Sequence, residues 1–144
     1  MFSFLARFTL AAEARGARPR FGLTDGRVFR DLSSGDSDWS SFVAACHADF
    51  SAIEERSAAA PAHAAEDVVL LPPVDDAARI FCVALNYRSH VVEMKRAIPR
   101  APVIFVKPVS AVVAGGAPIG GLQIASFLDY EAELAVVIGA PASA

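Results

Sequence analysis

The run Asp129-Tyr130-Glu131-Ala132-Glu133-Leu134-Ala135-Val136-Val137-Ile138-Gly139 constrains this chain most. It reads as a β-strand that opens acidic and ends apolar. Successive side chains on a strand point to opposite faces. Asp129, Glu131 and Glu133 would therefore share one face, and Tyr130, Ala132, Leu134, Val136 and Ile138 the other. Carboxylates two residues apart, roughly 6.5 Å along a strand, can converge on one cation. Their oxygens suit hard divalent ions such as Mg, Mn or Ca. The competing reading is a solvated face on an edge strand. The apolar run from Leu134 to Ile138 argues instead for burial on both faces. A carboxylate entering a buried strand needs a counter-charge or a metal.

The 144 residues suffice for a domain with a real core. A hydrophobic content of 54% argues against general disorder. The net charge of −3 supplies no general attraction to nucleic acid. Five arginines between Arg15 and Arg30 read as a solvated loop and strand face, since no aromatic residues interleave with them as in a nucleic-acid track. No apolar run reaches membrane-spanning length. Met1–Leu10 lacks the charged leader and long apolar core of a signal peptide. Cys46 and Cys82 have no metal-ligand spacing and read as reduced thiols of a cytoplasmic protein. The expectation is a cytoplasmic chain with no nucleic-acid and no membrane partner.

Along the chain, Phe2, Phe4, Ala6, Phe8 and Leu10 alternate as in a half-buried strand. Phe21–Leu23 and Arg27–Leu32 flank Thr24-Asp25-Gly26, a hairpin signal. Ser33–Asp38 is a turn cluster offering N-caps, and Trp39, Phe42, Val43, Cys46 and Phe50 recur at helical spacing, predicting one helix over Asp38–Arg56. His47 reads as a helix-surface residue. The alanine-rich stretch 58–65 reads as a linker or a frayed helix end, and His63 within it carries no signal. Pro72-Pro73 marks the domain boundary, giving a small N-terminal domain over 1–73 and a second domain over 74–144. Ile80–Leu85 and Val103–Val106 read as buried central strands, Ser89–Met94 as a short helix, and Ala111–Ala114 as a further strand. The Gly115-Gly116 and Gly120-Gly121 pairs are turns, not phosphate loops. The fold class expected is α+β and β-rich.

His90 and Glu93 form a second constellation. Three residues apart, they share one face of a helix. A carboxylate beside an imidazole fixes its tautomer and raises its basicity, which suits a general base acting on water. The alternative is a solvated His–Glu pair, which contributes little. Arg88 and Lys107 are candidate clamps for a substrate anion, or solvated charges. With no nucleophile elbow and no placed Cys–His pair, metal-assisted acid–base chemistry is the best-supported enzymatic class.

Three stretches together resemble the fumarylacetoacetate hydrolase family. Ile80-Phe81-Cys82-Val83-Ala84-Leu85-Asn86-Tyr87-Arg88-Ser89-His90-Val91-Val92-Glu93-Met94 resembles its opening motif. Pro102-Val103-Ile104-Phe105-Val106-Lys107-Pro108 is similar to its next strand and Lys-Pro turn, and Leu128–Gly139 to its metal-binding strand. Ser89 departs from the Asp that many members carry before the His. The resemblance implies a small N-terminal α/β domain followed by the start of a mixed β-roll. It implies Mg or Mn on Glu131 and Glu133, and His90 and Glu93 as catalytic residues on a mobile lid, with Lys107 matching the family's Lys-Pro turn. The activity implied is cleavage of a carbon–carbon bond in acylpyruvates or related β-dicarbonyl acids, or decarboxylation, hydration or isomerisation of a related oxo-acid. Such chemistry belongs to oxo-acid metabolism and aromatic catabolism. The family's third acidic ligand and a later Lys fall beyond Ala144. The sequence is thus expected to hold the first part of such an enzyme, a homodimer when complete. By itself it is expected to be marginally stable, to associate or aggregate, to bind Mg or Mn only weakly, and to cleave acylpyruvates undetectably or far below family norms. The alternative is a short non-catalytic chain that binds a partner or binds a metal weakly.

Overall fold

Alternation along the first strands builds the N-terminal sheet. A computed structural model of the chain describes residues 4–13, 16–34, 38–76 and 78–141. The expected strand residue Phe2, Arg15 of the arginine cluster and Gly35–Ser37 of the turn cluster lie outside them. The chain divides into two compact units, one of Met1–Val74 with Val113–Ala144 and one of Asp75–Val112.

In the first unit, β1 (Phe4–Leu10), β2 (Arg20–Thr24), β3 (Val28–Asp31), β4 (Ala62–Ala64) and β5 (Val68–Leu70) form an antiparallel sheet in the order β4-β3-β2-β1-β5. The Asp25-Gly26 turn joins β2 to β3. Gly26 takes φ 90°, and the Asp25 carboxylate accepts the amide protons of Arg27 and Val28. Pairing of Ala6 with Gly22 and of Gly22 with Asp31 puts these residues on one face. Gly22 is required there. A Cβ would lie 1.7 Å from the Arg30 carbonyl oxygen.

The helical region is two helices rather than one. α1 (Trp39–Ala48) and α2 (Phe50–Ser57) meet at Asp49. Asp49 ends α1, and its carboxylate then accepts the Ala52 amide as the N-cap of α2, which breaks the expected continuous helix. Asp38 caps α1 in the same way through the Ser41 amide. Phe42, Cys46 and Ile53 pack on Phe21, Leu23 and Leu32, with Trp39 alongside. Phe21 and Phe42 ring centroids are 4.8 Å apart. Burial raises the Cys46 thiol pKa. A second cluster of Ala6, Phe8 and Phe29 holds the opposite face of the sheet.

Two expectations are corrected here. The stretch 58–65 is not a plain linker, because Ala62–Ala64 pairs with β3 as an edge strand. Asp129–Gly139 forms no strand. The residues run without regular structure, and Leu134, Val136, Val137 and Ile138 are exposed rather than buried. A strand exists only through its ladder, and no described strand pairs with this run. Gly139 lies beside Val43 and His47 of α1.

The second unit is built on β6 (Ile80–Ala84) and β7 (Val103–Lys107), paired antiparallel from Ile80 with Lys107 to Ala84 with Val103. Each was expected to be a buried central strand. In a two-stranded sheet both are edges, so β6 is half-buried at best and β7 is exposed throughout. The expected strand at Ala111–Ala114 is absent, and Val109–Ala111 forms a single 3₁₀ turn instead. Between β6 and β7 lies α3 (Arg88–Glu93). It is anchored by Val91, only 1% exposed. α3 ends with the Lys95 amide on the Val92 carbonyl and the Arg96 amide on the Val91 carbonyl. Lys95 takes the left-handed position, φ 52°, where glycine is usual.

Candidate functional site

Leu85 leaves β6 at φ 55°, a left-handed conformation that is costly for a bulky side chain. This turn redirects the chain from β6 into α3 and sets the pose of Arg88 and His90. His90 Nδ1 stands 3.9 Å from Glu93 Oε2 across one turn of α3. The distance exceeds a hydrogen bond, so the carboxylate acts on the ring electrostatically as they stand. The two are exposed, at 40% and 83% of their side chains, and solvent screens the pair. Catalytic hydrogen bonds are often long without substrate and tighten in the complex.

Below α3 a groove of about 290 Å³ is lined by the end of β6, Asn86, Arg88, Val91 and the segment 98–102. Arg88 lines this groove. Lys107 does not, since its Nζ lies 5.9 Å from the Phe105 ring centroid on β7, a cation–π distance.

Glu131 and Glu133 belong to the other unit and are exposed. Two carboxylates are the donor type that a Mg or Mn ion takes. Among the described residues, however, no group of three His, Cys, Asp or Glu side chains is placed to hold a metal. The residues as arranged supply two donors and do not fit a closed cation site.

Sequence reasoning missed the most developed polar cluster, on the first unit's sheet. Arg20 was expected to be solvated with the other arginines. Instead Nη1 donates to Asp31 Oδ2 at 2.6 Å and Nη2 to Glu13 Oε1 at 2.7 Å. Burial alone would raise the Asp31 pKa, but hydrogen bonds from Ser33 and Arg20 outweigh it and hold the carboxyl below its usual value. Hydrogen bonding from Arg20 likewise lowers Glu13, and the guanidinium pKa rises in return. His63 Nε2 is 3.8 Å from Asp31 Oδ2, with its ring against Phe8. The alternation of β2 and β3 was a usable signal, because it places Arg20 and Asp31 on one face. His63 became visible only once β4 formed. No helix among the described residues is long and apolar enough to cross a membrane.

Residues 79–144 match the sequence family described as fumarylacetoacetate (FAA) hydrolase, C-terminal. The chain is 46% identical over 61 residues to an uncharacterised protein of Methanocaldococcus jannaschii, covering 42% of this chain and 26% of that protein. It is 37% identical over 73 residues to a mitochondrial oxaloacetate tautomerase of Xenopus laevis, covering 51% and 23%. It is 45% identical over 60 residues to a mitochondrial oxaloacetate tautomerase of Bos taurus, covering 42% and 27%. The chain thus spans about a quarter of the length of these relatives. No solved structure matches it significantly.

Proposed function

We propose that this chain, whose residues 79–144 match the fumarylacetoacetate hydrolase family, serves proton-transfer chemistry on a small oxo-acid. The observation that carries the reading is His90 with Glu93 on α3, directly after the strained turn at Leu85. His90 Nε2 takes a proton from water or from the carbon beside the carbonyl, and Glu93, 3.9 Å from Nδ1, closes to a hydrogen bond in the substrate complex. Arg88 faces the substrate's carboxylate. In the hydrolytic version, water adds to the acyl carbonyl of an acylpyruvate. The carbon–carbon bond then breaks, and His90 returns the proton to the departing pyruvate enolate. In the isomerising version, the same proton moves between carbon and oxygen, the interconversion for which the Xenopus and Bos relatives are named. The Mg or Mn ion of the family resemblance is assigned to Glu131 and Glu133 by that resemblance alone, and no step here is routed through it. Lys107 is kept as a secondary substrate contact. Homodimer formation and a cytoplasmic site of action complete the reading.

A second reading has its own observation. Glu131 and Glu133 are exposed, with no cluster of three ligands among the described residues, which favours a non-catalytic chain that binds a partner or weakly binds a metal. Product analysis separates the two. The chain is incubated with an acylpyruvate and with oxaloacetate, with and without Mn. Pyruvate plus a free acid supports hydrolysis, and keto–enol interconversion alone supports isomerisation. Neither product at any enzyme concentration would leave the binding reading.

A further inference from the structure

Between Asp75 and Val112 the sequence carries six Lys or Arg against three Asp or Glu, although the whole chain is net negative. The second unit is thus a cationic body in an acidic chain. Its groove concentrates that charge. The walls are apolar (Val83, Leu85, Val91 and Ile98), and the polar side chains on them are Asn86, Arg88 and Arg100. Among the described residues neither Arg88 nor Arg100 has an ion-pair partner. Elsewhere Arg20 shows what an arginine does here when acid is in reach, pairing with two carboxylates.

We propose that this groove is an anion subsite for a carboxylate of a small diacid, with Arg88 and Arg100 as its two counter-charges. Guanidinium groups bind carboxylates through paired N–H donors. At about 290 Å³ the groove stands at the lower end of ligand-site sizes, which fits a compact acid and not a nucleotide. Arg100 enters the groove from the loop before β7, ten residues past His90's turn, and is a specificity residue that the sequence did not single out. Naming the anion as the substrate's carboxylate rests on the oxo-acid reading above, whereas the charge argument does not.

The test uses malonate, which cannot react, titrated into the metal-free chain at low salt and followed by amide NMR. Saturable shifts confined to residues 84–102 are expected. Arg88→Gln and Arg100→Gln should each weaken binding about tenfold, the scale of a lost charge-assisted hydrogen bond, while Arg79→Gln, which removes a charge of the same unit outside the groove, changes it less than about twofold. Shifts scattered over the surface without saturation would overturn the proposal even if a variant failed to fold, since they are read on the unsubstituted chain. Folded variants that bind as tightly as the parent would overturn it too. Malonate binding in the groove without turnover of any oxo-acid sinks the enzymatic reading and leaves the subsite standing. Turnover with an unchanged KM in Arg100→Gln does the reverse.

Discussion

Replacing Asp31 with Ala removes the centre of the sheet's polar cluster. Its side chain is 6% exposed and has two acceptor roles, Oδ2 to Arg20 at 2.6 Å and Oδ1 to the Ser33 amide at 2.9 Å. A hydrogen bond to a charged partner contributes about 1.5–3 kcal/mol, and a neutral one about 1 kcal/mol. The first figure is taken at its lower end, because Arg20 is a third exposed and keeps Glu13. The sum is about 2.5 kcal/mol. For a chain of this size that lowers the thermal midpoint by about 10 °C. Asp31→Asn keeps an oxygen for Ser33 and loses only the charge, so it should fall roughly half as far. Circular dichroism melts of parent, Asp31→Ala and Asp31→Asn provide the measurement. An Asp31→Ala midpoint within about 2 °C of the parent would refute the claim that this cluster holds the sheet together.

The same carboxyls set an acid limit. Asp31 and Glu13 have folded pKa values below their ordinary ones. Their stabilisation is therefore complete above the unfolded value of about 4 and is lost as pH falls through the folded values. Urea midpoints of parent and Asp31→Ala should converge below about pH 4, and a gap that stays constant into acid would contradict this. Lys95→Gly relieves a left-handed residue at the end of α3 and should stabilise the second unit by about 0.5–1 kcal/mol, read as slower amide exchange in 88–96. Gly22→Ala drives a Cβ into the Arg30 carbonyl and should cost about 3 kcal/mol, and a wild-type melt would show that β2 and β3 are not so close.

Legibility followed the range of the forces involved. The Asp25-Gly26 hairpin, the alternation of β1 and the helical stripe of Phe42 and Cys46 are local patterns, and they stand where the sequence put them. Asp49 is of a type that caps helices, but the apolar stripe runs through it and gives no local sign of a break. Strand β4 is three short residues with no alternation of its own, defined only by its partner β3. The run 129–139 shows the opposite failure. Apolar content implied burial, but burial requires a partner surface that no local pattern supplies. The His90–Glu93 pair was legible because a helix brings residues three apart together. Arg100 was not, since only the fold of the loop between α3 and β7 carries it to the groove of Arg88.

The central claim is that His90 moves a proton on an oxo-acid. It is tested most directly by following deuterium entry at the carbon beside the carbonyl of a 2-oxo-acid in D₂O, for the parent chain and for His90→Ala. General acid–base groups contribute about 10²–10⁴-fold. The account predicts exchange above the buffer rate with the parent chain, falling to the buffer rate in His90→Ala while Mn affinity stays unchanged. Exchange at the parent rate in His90→Ala, or none with the parent, would contradict it.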